Sequence, residues 1–233
     1  MIMKNFDDYG QMSEHAAQIV LSELNKKKDL RICAATGTSP TGTYRILEQA
    51  YWDKPDLFQE VQILKLDEWC GLPATHPSSC EHYLRQHLIK PLNISNDRYT
   101  GFMNCPKNAA KECERIEQKI ANDGPIDLCI LGLGANGHIG FNEPSDHLQP
   151  FCHVAQLSET SQKHGMVQGL QQKPSFGMTL GMRNILSAQK IILLVYGTEK
   201  EEAFSTLTTK TITSQLPASF LWLHGNVDCL WVK

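Results

Sequence analysis

Short apolar runs recur along this chain, and segments of helical length separate them. Residues 30–35, 61–66 and 126–131 are three such runs, and they are mainly apolar rather than half polar. A strand that is apolar throughout is buried on both faces, which is typical of a parallel sheet covered by helices on each side. The sequence therefore predicts an α/β fold, a doubly wound and mostly parallel sheet flanked by helices.

The other predicted elements continue this alternation. Apolar residues at spacings of three and four predict amphipathic helices, whereas short apolar runs predict strands. A chain of 233 residues is long enough for one α/β domain, so we expect residues 1–233 to form a single domain. Helices are predicted at residues 13–28, 43–52, 80–92, 109–121 and 200–209, further strands at 176–180 and 190–195, and two more elements, 219–223 and 227–232, end the chain.

The composition argues against several classes of protein. With 20% charged residues and a net charge of −3, the chain has no general electrostatic attraction for nucleic acid or an anionic membrane. No apolar run is long enough to span a bilayer. The eight cysteines form no CxxC pair, and we see no signal peptide, so we expect free thiols in a reducing cytoplasm.

In a parallel α/β sheet the ligand binds at the carboxyl ends of the strands, so the loops after residues 35, 66, 131 and 195 matter most. The first loop, residues 35–44 (ATGTSPTGTY), carries glycine and hydroxyl residues into a helix. Backbone N–H groups at a helix N-terminus, together with the hydroxyls of Thr38 and Ser39, can bind an anion.

The spacing of Gly37 and Gly42 is that of a nucleotide-binding P-loop, but Thr43 stands where that motif requires lysine. A single sugar phosphate therefore fits this loop better than a nucleoside triphosphate. The alternative is a capped helix start with no ligand.

Two carboxylates, Asp67 and Glu68, directly follow the second apolar run. A carboxylate at the end of a buried strand is partly desolvated and is a candidate general base. The alternative role for either residue is to cap the following segment.

The third loop, residues 132–144 (GLGANGHIGFNEP), is dense in glycine and carries His138 and Glu143. Its glycines satisfy GxGxxG, but His, Asn, Glu and Pro follow instead of a small apolar helix, so we expect no dinucleotide cofactor. Histidine transfers protons near neutral pH, and a nearby glutamate can fix its tautomer. No cysteine or second histidine completes a metal-ligand spacing here, so we expect no metal.

The fourth loop places Lys200 in the first turn of a predicted helix. A lysine at that position opposes the helix dipole, which prefers anions there. The placement makes sense if Lys200 faces a bound phosphate. The alternative is a lysine that points into solvent, where water and salt screen its charge.

Three segments, in this order, resemble the glucosamine-6-phosphate deaminase/isomerase family. They are TGTSP at residues 36–40, LDEWCGLP at 66–73 and LGLGANGHIGFNEP at 131–144, and the resemblance extends over nearly the whole chain. Finer details resemble the galactosamine-6-phosphate isomerase branch. These details are LDEW at residues 66–69, SCE at 79–81, TLGM at 179–182 and PASFLWLH at 217–224.

The resemblance implies an enzyme without cofactor or metal, on a Rossmann-like fold of the sugar-phosphate isomerase type. It would convert galactosamine 6-phosphate to tagatose 6-phosphate and ammonia, or glucosamine 6-phosphate to fructose 6-phosphate. Asp67 would move a proton between C2 and C1, His138 would assist opening of the sugar ring, and Glu143 would orient His138. The implied catalytic residues are Asp67, Asn136, His138 and Glu143, and the implied substrate- and phosphate-binding residues are Thr36, Gly37, Thr38, Ser39, Glu68, Gly137 and Lys200.

The chain departs from the family in two places. Asn136 stands where some members have aspartate, so the surroundings of His138 are less anionic. Residues 144–173, the expected lid, contain no arginine, whereas the allosterically regulated deaminases use arginines there for activator and substrate phosphates. We therefore expect no control by an acetylated amino-sugar phosphate. The candidates to replace the arginines are Lys163, His164 and Lys173.

Two other functions stay open. 6-Phosphogluconolactonases share the fold and a Gly-His loop, but they tend to continue with small and hydroxyl residues rather than Phe-Asn-Glu-Pro. Sugar-phosphate sensor domains of transcription regulators use a related fold with an added helix-turn-helix, for which there is no room before Ser13. The partner we expect is thus a small sugar phosphate, not nucleic acid or a membrane, and the sequence is compatible with a homo-oligomer.

Overall fold

Strands and α-helices alternate along residues 1–232, the part of the chain that the computed structural model describes. The strands are β1 (Ile2–Phe6), β2 (Arg31–Ala34), β3 (Gln62–Lys65), β4 (Asp67–Trp69), β5 (Tyr99–Thr100), β6 (Leu128–Gly132), β7 (His153–Gln156), β8 (Phe176–Thr179), β9 (Lys190–Val195) and β10 (Val227–Val232). The α-helices are α1 (Tyr9–Lys26), α2 (Thr38–Asp53), α3 (Cys80–Leu84), α4 (Ala109–Asp123), α5 (Glu159–Gln162), α6 (Met182–Leu186) and α7 (Glu201–Thr208). Short 3₁₀ helices are Pro55–Phe58, Asn96–Arg98, Thr198–Lys200 and Pro217–Leu223.

The central sheet is parallel and has the strand order β1-β10-β9-β6-β2-β3-β5. From β2 the chain builds outward to β3 and β5, and it then returns to β6 on the other side of β2. The strand order reverses between β2 and β6, and an α/β sheet opens a ligand crevice at such a point. Buried apolar clusters cover both faces, one with α1 and α2 and the other with α4, α6 and α7. The predicted doubly wound α/β fold is confirmed.

A second, three-stranded sheet has the order β4-β8-β7 and is antiparallel. The strand predicted at residues 176–180 is present as β8, but it pairs in this antiparallel sheet and not in the parallel sheet. A short buried apolar run looks the same in both kinds of sheet, so its periodicity could not reveal the partner. Residues 67–69, which we expected to be part of a loop, form β4 and bring Asp67 to the junction of the two sheets.

The termini of the elements also differ from our predictions. Helix α1 begins at Tyr9 because the side chain of Asp8 accepts the N–H of Gln11 at 2.9 Å, and Ser13 is buried inside the helix. Helix α2 begins at Thr38 rather than at residue 43. The helix predicted at residues 80–92 is α3 followed by one π-helical turn, Arg85–Ile89, and residues 219–223 belong to a 3₁₀ helix.

The edge strand β1 was missed by the sequence analysis, because its residues are only partly buried and form no apolar run. It pairs in parallel with β10 at one edge of the sheet. Within residues 1–232, none of the helices combines the length and the apolar character needed to cross a bilayer.

Close packing between α1 and α2 fixes the loop that follows β2. The hydroxyl of Tyr9 accepts the N–H of Gly42 at 2.7 Å and donates to the carbonyl of Thr38 at 2.6 Å. A Cβ at Gly42 would overlap the side chain of Ser13, so only glycine permits this approach. The first turn of α2 is thereby held in one orientation.

Candidate active site

A cavity of about 720 Å³ lies at the carboxyl ends of the central strands. This volume is within the usual range for small-molecule sites. All four loops that the sequence analysis selected contribute to its lining, and a segment after β7 closes one side. The lining includes residues 35–39, 66–67, 132–135, 138, 160–161, 163–166 and 199–200.

One end of the cavity is suited to bind an anion. Gly37 precedes the 16-residue helix α2 with a φ of 97°, and Thr38 and Ser39 in its first turn line the cavity. The free N–H groups at a helix N-terminus bind anions. Lys200 donates a hydrogen bond from Nζ to Oγ of Ser39 at 2.9 Å. Burial lowers the pKa of Lys200, while the charge of Glu199 opposes this shift. Thr36, Gly37, Thr38, Ser39 and Lys200 all line the cavity, as expected of phosphate-binding residues.

The carbonyl oxygen of Gly37 accepts hydrogen bonds from two side chains that also line the cavity. It accepts the hydroxyl of Tyr83 at 2.8 Å and the hydroxyl of Thr41 at 2.8 Å. A carbonyl oxygen near an anion repels it, and these two hydrogen bonds reduce that repulsion.

Asp67 presents a nearly buried carboxyl group to the middle of the cavity. The residue is 7% exposed, and its Oδ1 has no hydrogen-bond partner among the described residues. Burial, and then the negative charge of Glu68, raise the pKa of Asp67 to about 7. A carboxylate with this pKa can take up and return a proton at neutral pH, which is the property of a general base.

Glu68 does not line the cavity, so the structure does not place it where the predicted substrate contact requires. Its side chain is fully buried, and both of its carboxylate oxygens accept hydrogen bonds. A role in holding β4 in place fits this geometry. The hydrogen bonds to Glu68 come from Nζ of Lys65 at 2.8 Å and from the backbone N–H groups of Trp69 at 3.0 Å, Cys80 at 2.9 Å and Glu81 at 2.8 Å.

His138 lines the cavity opposite the sheet junction, and its ring lies over Gly134. A Cβ at Gly134 would overlap this ring, which explains one glycine of the third loop. Nδ1 of His138 is 3.5 Å from Oε2 of Glu143. Burial by itself would raise the pKa of Glu143, but contacts with His138, Ser161 and Asn136 outweigh it and lower the pKa to about 2.

Asn136, Gly137 and Glu143 lie behind His138 and do not line the main cavity. The side-chain amide of Asn136 donates to Oε2 of Glu143 at 2.8 Å, and its Oδ1 accepts the backbone N–H of His138 at 3.2 Å. An ionised aspartate could not donate to Glu143, so asparagine suits this network. Gly137 has a φ of 85°, and its carbonyl accepts a hydrogen bond from the N–H of Ala218 at 3.0 Å, which fixes this part of the loop.

The segment after β7 contributes residues that no motif predicted. Ser161 on α5 contacts both His138 and Glu143, and nothing in the sequence marks this serine among its neighbours. Of the three candidates to replace the family arginines, Lys163 and His164 line the cavity and Lys173 does not. Within the described part of the chain, no cluster of three or more His, Cys, Asp or Glu side chains is placed to hold a metal ion.

Comparison with known proteins identifies a family that covers nearly the whole chain. A family model described as glucosamine-6-phosphate isomerases/6-phosphogluconolactonase matches residues 8–231. AgaI of Escherichia coli (strain K12), which is named as a deaminase, is 41% identical over 98% of this chain and 90% of its own length. The glucosamine-6-phosphate deaminase of Clostridium novyi (strain NT) is 36% identical and covers 100% of this chain and 98% of its own.

Solved structures give the same result for the fold. A monomeric glucosamine-6-phosphate deaminase superimposes with a TM-score of 0.93 at 31% identity, over 100% of this chain and 98% of its own. A 6-phosphogluconolactonase from Trypanosoma cruzi has a TM-score of 0.81 at 19% identity, over 100% of this chain and 94% of its own. The second similarity concerns the fold alone.

The environment of Asp67 predicts a stability change that can be measured without substrate. The pKa of Asp67 is about 7 in the folded protein, whereas an aspartate in the unfolded chain has its ordinary pKa of 3.8. The folded state therefore binds the proton more tightly, and stability falls as pH rises from about 4 to about 7. Replacing Asp67 by asparagine removes this penalty, so Asp67→Asn should raise the free energy of unfolding at about pH 8 by on the order of 1–3 kcal/mol.

Urea denaturation at about pH 5 and about pH 8 tests this prediction. The gain in Asp67→Asn should be larger at the higher pH. The exposed Asp29→Asn provides the control and should change stability little at either pH. An equal effect of Asp67→Asn at both pH values would show that the Asp67 carboxyl is not ionised against a burial penalty.

Proposed function

Because the chain belongs to the family of glucosamine-6-phosphate isomerases and 6-phosphogluconolactonases, we propose that it deaminates and isomerises an amino-sugar 6-phosphate. One observation carries this proposal. The same cavity is lined by the residues of the proposed anion site, by Asp67, whose Oδ1 has no hydrogen-bond partner among the described residues, and by the ring of His138. An anion site next to two proton-transferring groups suits a phosphorylated substrate that must exchange protons at carbon.

Asp67 is the base in the proposed reaction. In the open-chain sugar its carboxylate takes the proton from C2, which carries the amino group, and returns it to C1. The aldehyde oxygen takes up a proton and the amino group gives one up, so the aldehyde carbon becomes a hydroxymethyl carbon and C2 becomes an imine. Water adds to this imine, and ammonia leaves as the ketose phosphate forms. The raised pKa of Asp67 suits both halves of the proton transfer.

His138 is the group that we assign to ring opening. Its ring lies in the cavity wall, where it can exchange a proton with the ring oxygen of the bound sugar. Asn136 and Glu143 act through His138, because both contact it from outside the main cavity. We therefore regard them as positioning residues.

We propose galactosamine 6-phosphate as the substrate. Four sequence details support this choice, namely residues 66–69, 79–81, 179–182 and 217–224. The relatives named as glucosamine-6-phosphate deaminases make glucosamine 6-phosphate the second candidate. We also propose a cytoplasmic location, since all eight cysteines are free thiols.

Independence from an acetylated amino-sugar phosphate is likewise a proposal. A second cavity of about 410 Å³ lies on the other side of Glu143, and no lysine or arginine contributes to its lining. A phosphorylated effector would find no strong cation there.

Ammonia release from galactosamine 6-phosphate and glucosamine 6-phosphate, measured side by side, tests the proposed function. We expect the larger kcat/KM for the galactosamine compound. Asp67→Asn should lower kcat by about 10²–10⁴-fold, which is the usual contribution of a positioned base, and should leave substrate binding largely intact. Preference for glucosamine 6-phosphate would contradict only the substrate choice, whereas silence with both substrates and activity on a phosphogluconolactone would contradict the deaminase assignment.

Lys200 should act mainly on binding, because it lies at the anion end and away from the carbon atoms that react. We expect Lys200→Ala to raise KM by about 10-fold or more, the equivalent of at least one charge-assisted hydrogen bond, with a smaller change in kcat. Initial-rate kinetics with the preferred substrate measure this split. Lys210 lies outside the cavity lining, so Lys210→Ala is the matched control and should leave KM unchanged. An unchanged KM in Lys200→Ala would show that Lys200 does not bind the phosphate.

A further inference from the structure

Ser161 lies between His138 and Glu143 and is 1% exposed. Its Oγ is 3.2 Å from Nδ1 of His138 and also makes a short hydrogen bond to Oε1 of Glu143. The direct separation between Nδ1 of His138 and Oε2 of Glu143 is 3.5 Å, longer than the usual N–H···O distance of about 2.9–3.0 Å. The better contact between the imidazole and the carboxylate therefore runs through the serine hydroxyl.

The number of protons available determines which group donates in each hydrogen bond of Ser161. Glu143 is ionised and can only accept hydrogen bonds, so the single proton of the Ser161 hydroxyl is donated to its carboxylate. The oxygen of Ser161 can then only accept from His138, which places a proton on Nδ1. The hydroxyl of Ser158, at 3.3 Å, occupies the remaining acceptor position of Ser161.

The backbone around Ser161 is fixed from both sides. Ser158 caps α5 by accepting the N–H of Ser161 at 3.1 Å, and its own N–H donates to Oε1 of Glu143 at 3.3 Å. The amide of Asn136 donates to the hydroxyl of Ser158 at 3.1 Å. The serine hydroxyl is thus held in position before any substrate binds.

We propose that Ser161 is the positioning residue that links His138 to Glu143, in a chain of hydrogen bonds from Nδ1 of His138 through Oγ of Ser161 to Oε1 of Glu143. The chain keeps the proton on Nδ1, and it leaves the lone pair of Nε2 for proton exchange with a ligand. Its kinetic consequence rests on the proposed function, whereas the position of the proton does not.

Histidine side-chain ¹⁵N NMR at about pH 8, which distinguishes the two ring nitrogens, tests the proposal on the protein without substrate. We expect the signal of His138, identified by its loss in His138→Asn, to be that of the tautomer protonated on Nδ1. Ser161→Ala should convert it into a mixture of tautomers. Ser161→Thr, which keeps the hydroxyl, and Ser158→Ala, which removes the helix cap but keeps the Ser161 hydroxyl, should both retain the Nδ1 tautomer.

Kinetics provide the second readout. We expect Ser161→Ala to lower kcat by about 10-fold or more, part of the contribution of a positioned acid–base group, with KM changed less than about 2-fold and an altered pH profile of kcat. Ser161→Thr should recover most of the loss.

Two results would overturn the proposal. One is an Nε2-protonated tautomer in the wild-type protein, which needs no variant and is independent of folding in Ser161→Ala. The other is a Ser161→Ala variant with an unchanged tautomer, or with kcat and pH profile unchanged. Absence of ammonia release by the wild-type protein would contradict the proposed function and leave the NMR test standing.

Discussion

The buried carboxylate of Glu68 is the constraint on which the site depends. It accepts hydrogen bonds from the ammonium group of Lys65 at the end of β3 and from backbone N–H groups of β4 and α3. Glu68 thereby connects both sheets to a helix. Two charges removed from water are costly unless every oxygen and proton is paired, and here both oxygens are. Because Glu68 is fixed, Asp67 beside it is held at the sheet junction with a carboxyl group that water barely reaches.

Asp67 and Glu143 are carboxyl groups of the same site, but their pKa values are shifted in opposite directions. Burial and the charge of Glu68 raise the pKa of Asp67 to about 7, whereas hydrogen bonds and the contact with His138 lower the pKa of Glu143 to about 2. Asp67 can change its protonation at neutral pH, and Glu143 stays ionised and can hold a neighbouring proton. Different surroundings thus allow one carboxyl group to transfer protons and the other to stay ionised and hold a neighbouring group in position.

The sequence predicted the sheet and its ligand-binding edge because buried apolar strands and the loops after them are local features. It also predicted that Asp67, His138 and Lys200 share one cavity. It could not show that β8 leaves the parallel sheet, since strand pairing depends on distant residues. The hydrogen-bond partners of Glu68 and Ser161 could not be predicted for the same reason, because some of them lie 12 and 23 positions away in the sequence.

In the proposed reaction Asp67 carries the C2 hydrogen of the sugar to C1. Following an isotopic label at C2 tests this transfer most directly. The measurement uses galactosamine 6-phosphate with deuterium at C2 and follows turnover and the label in the ketose product by NMR. We expect slower turnover of the labelled sugar and deuterium at C1 of the product, in an amount reduced by exchange between the Asp67 carboxyl and water. Turnover at an unchanged rate, with no deuterium at C1, would contradict this transfer.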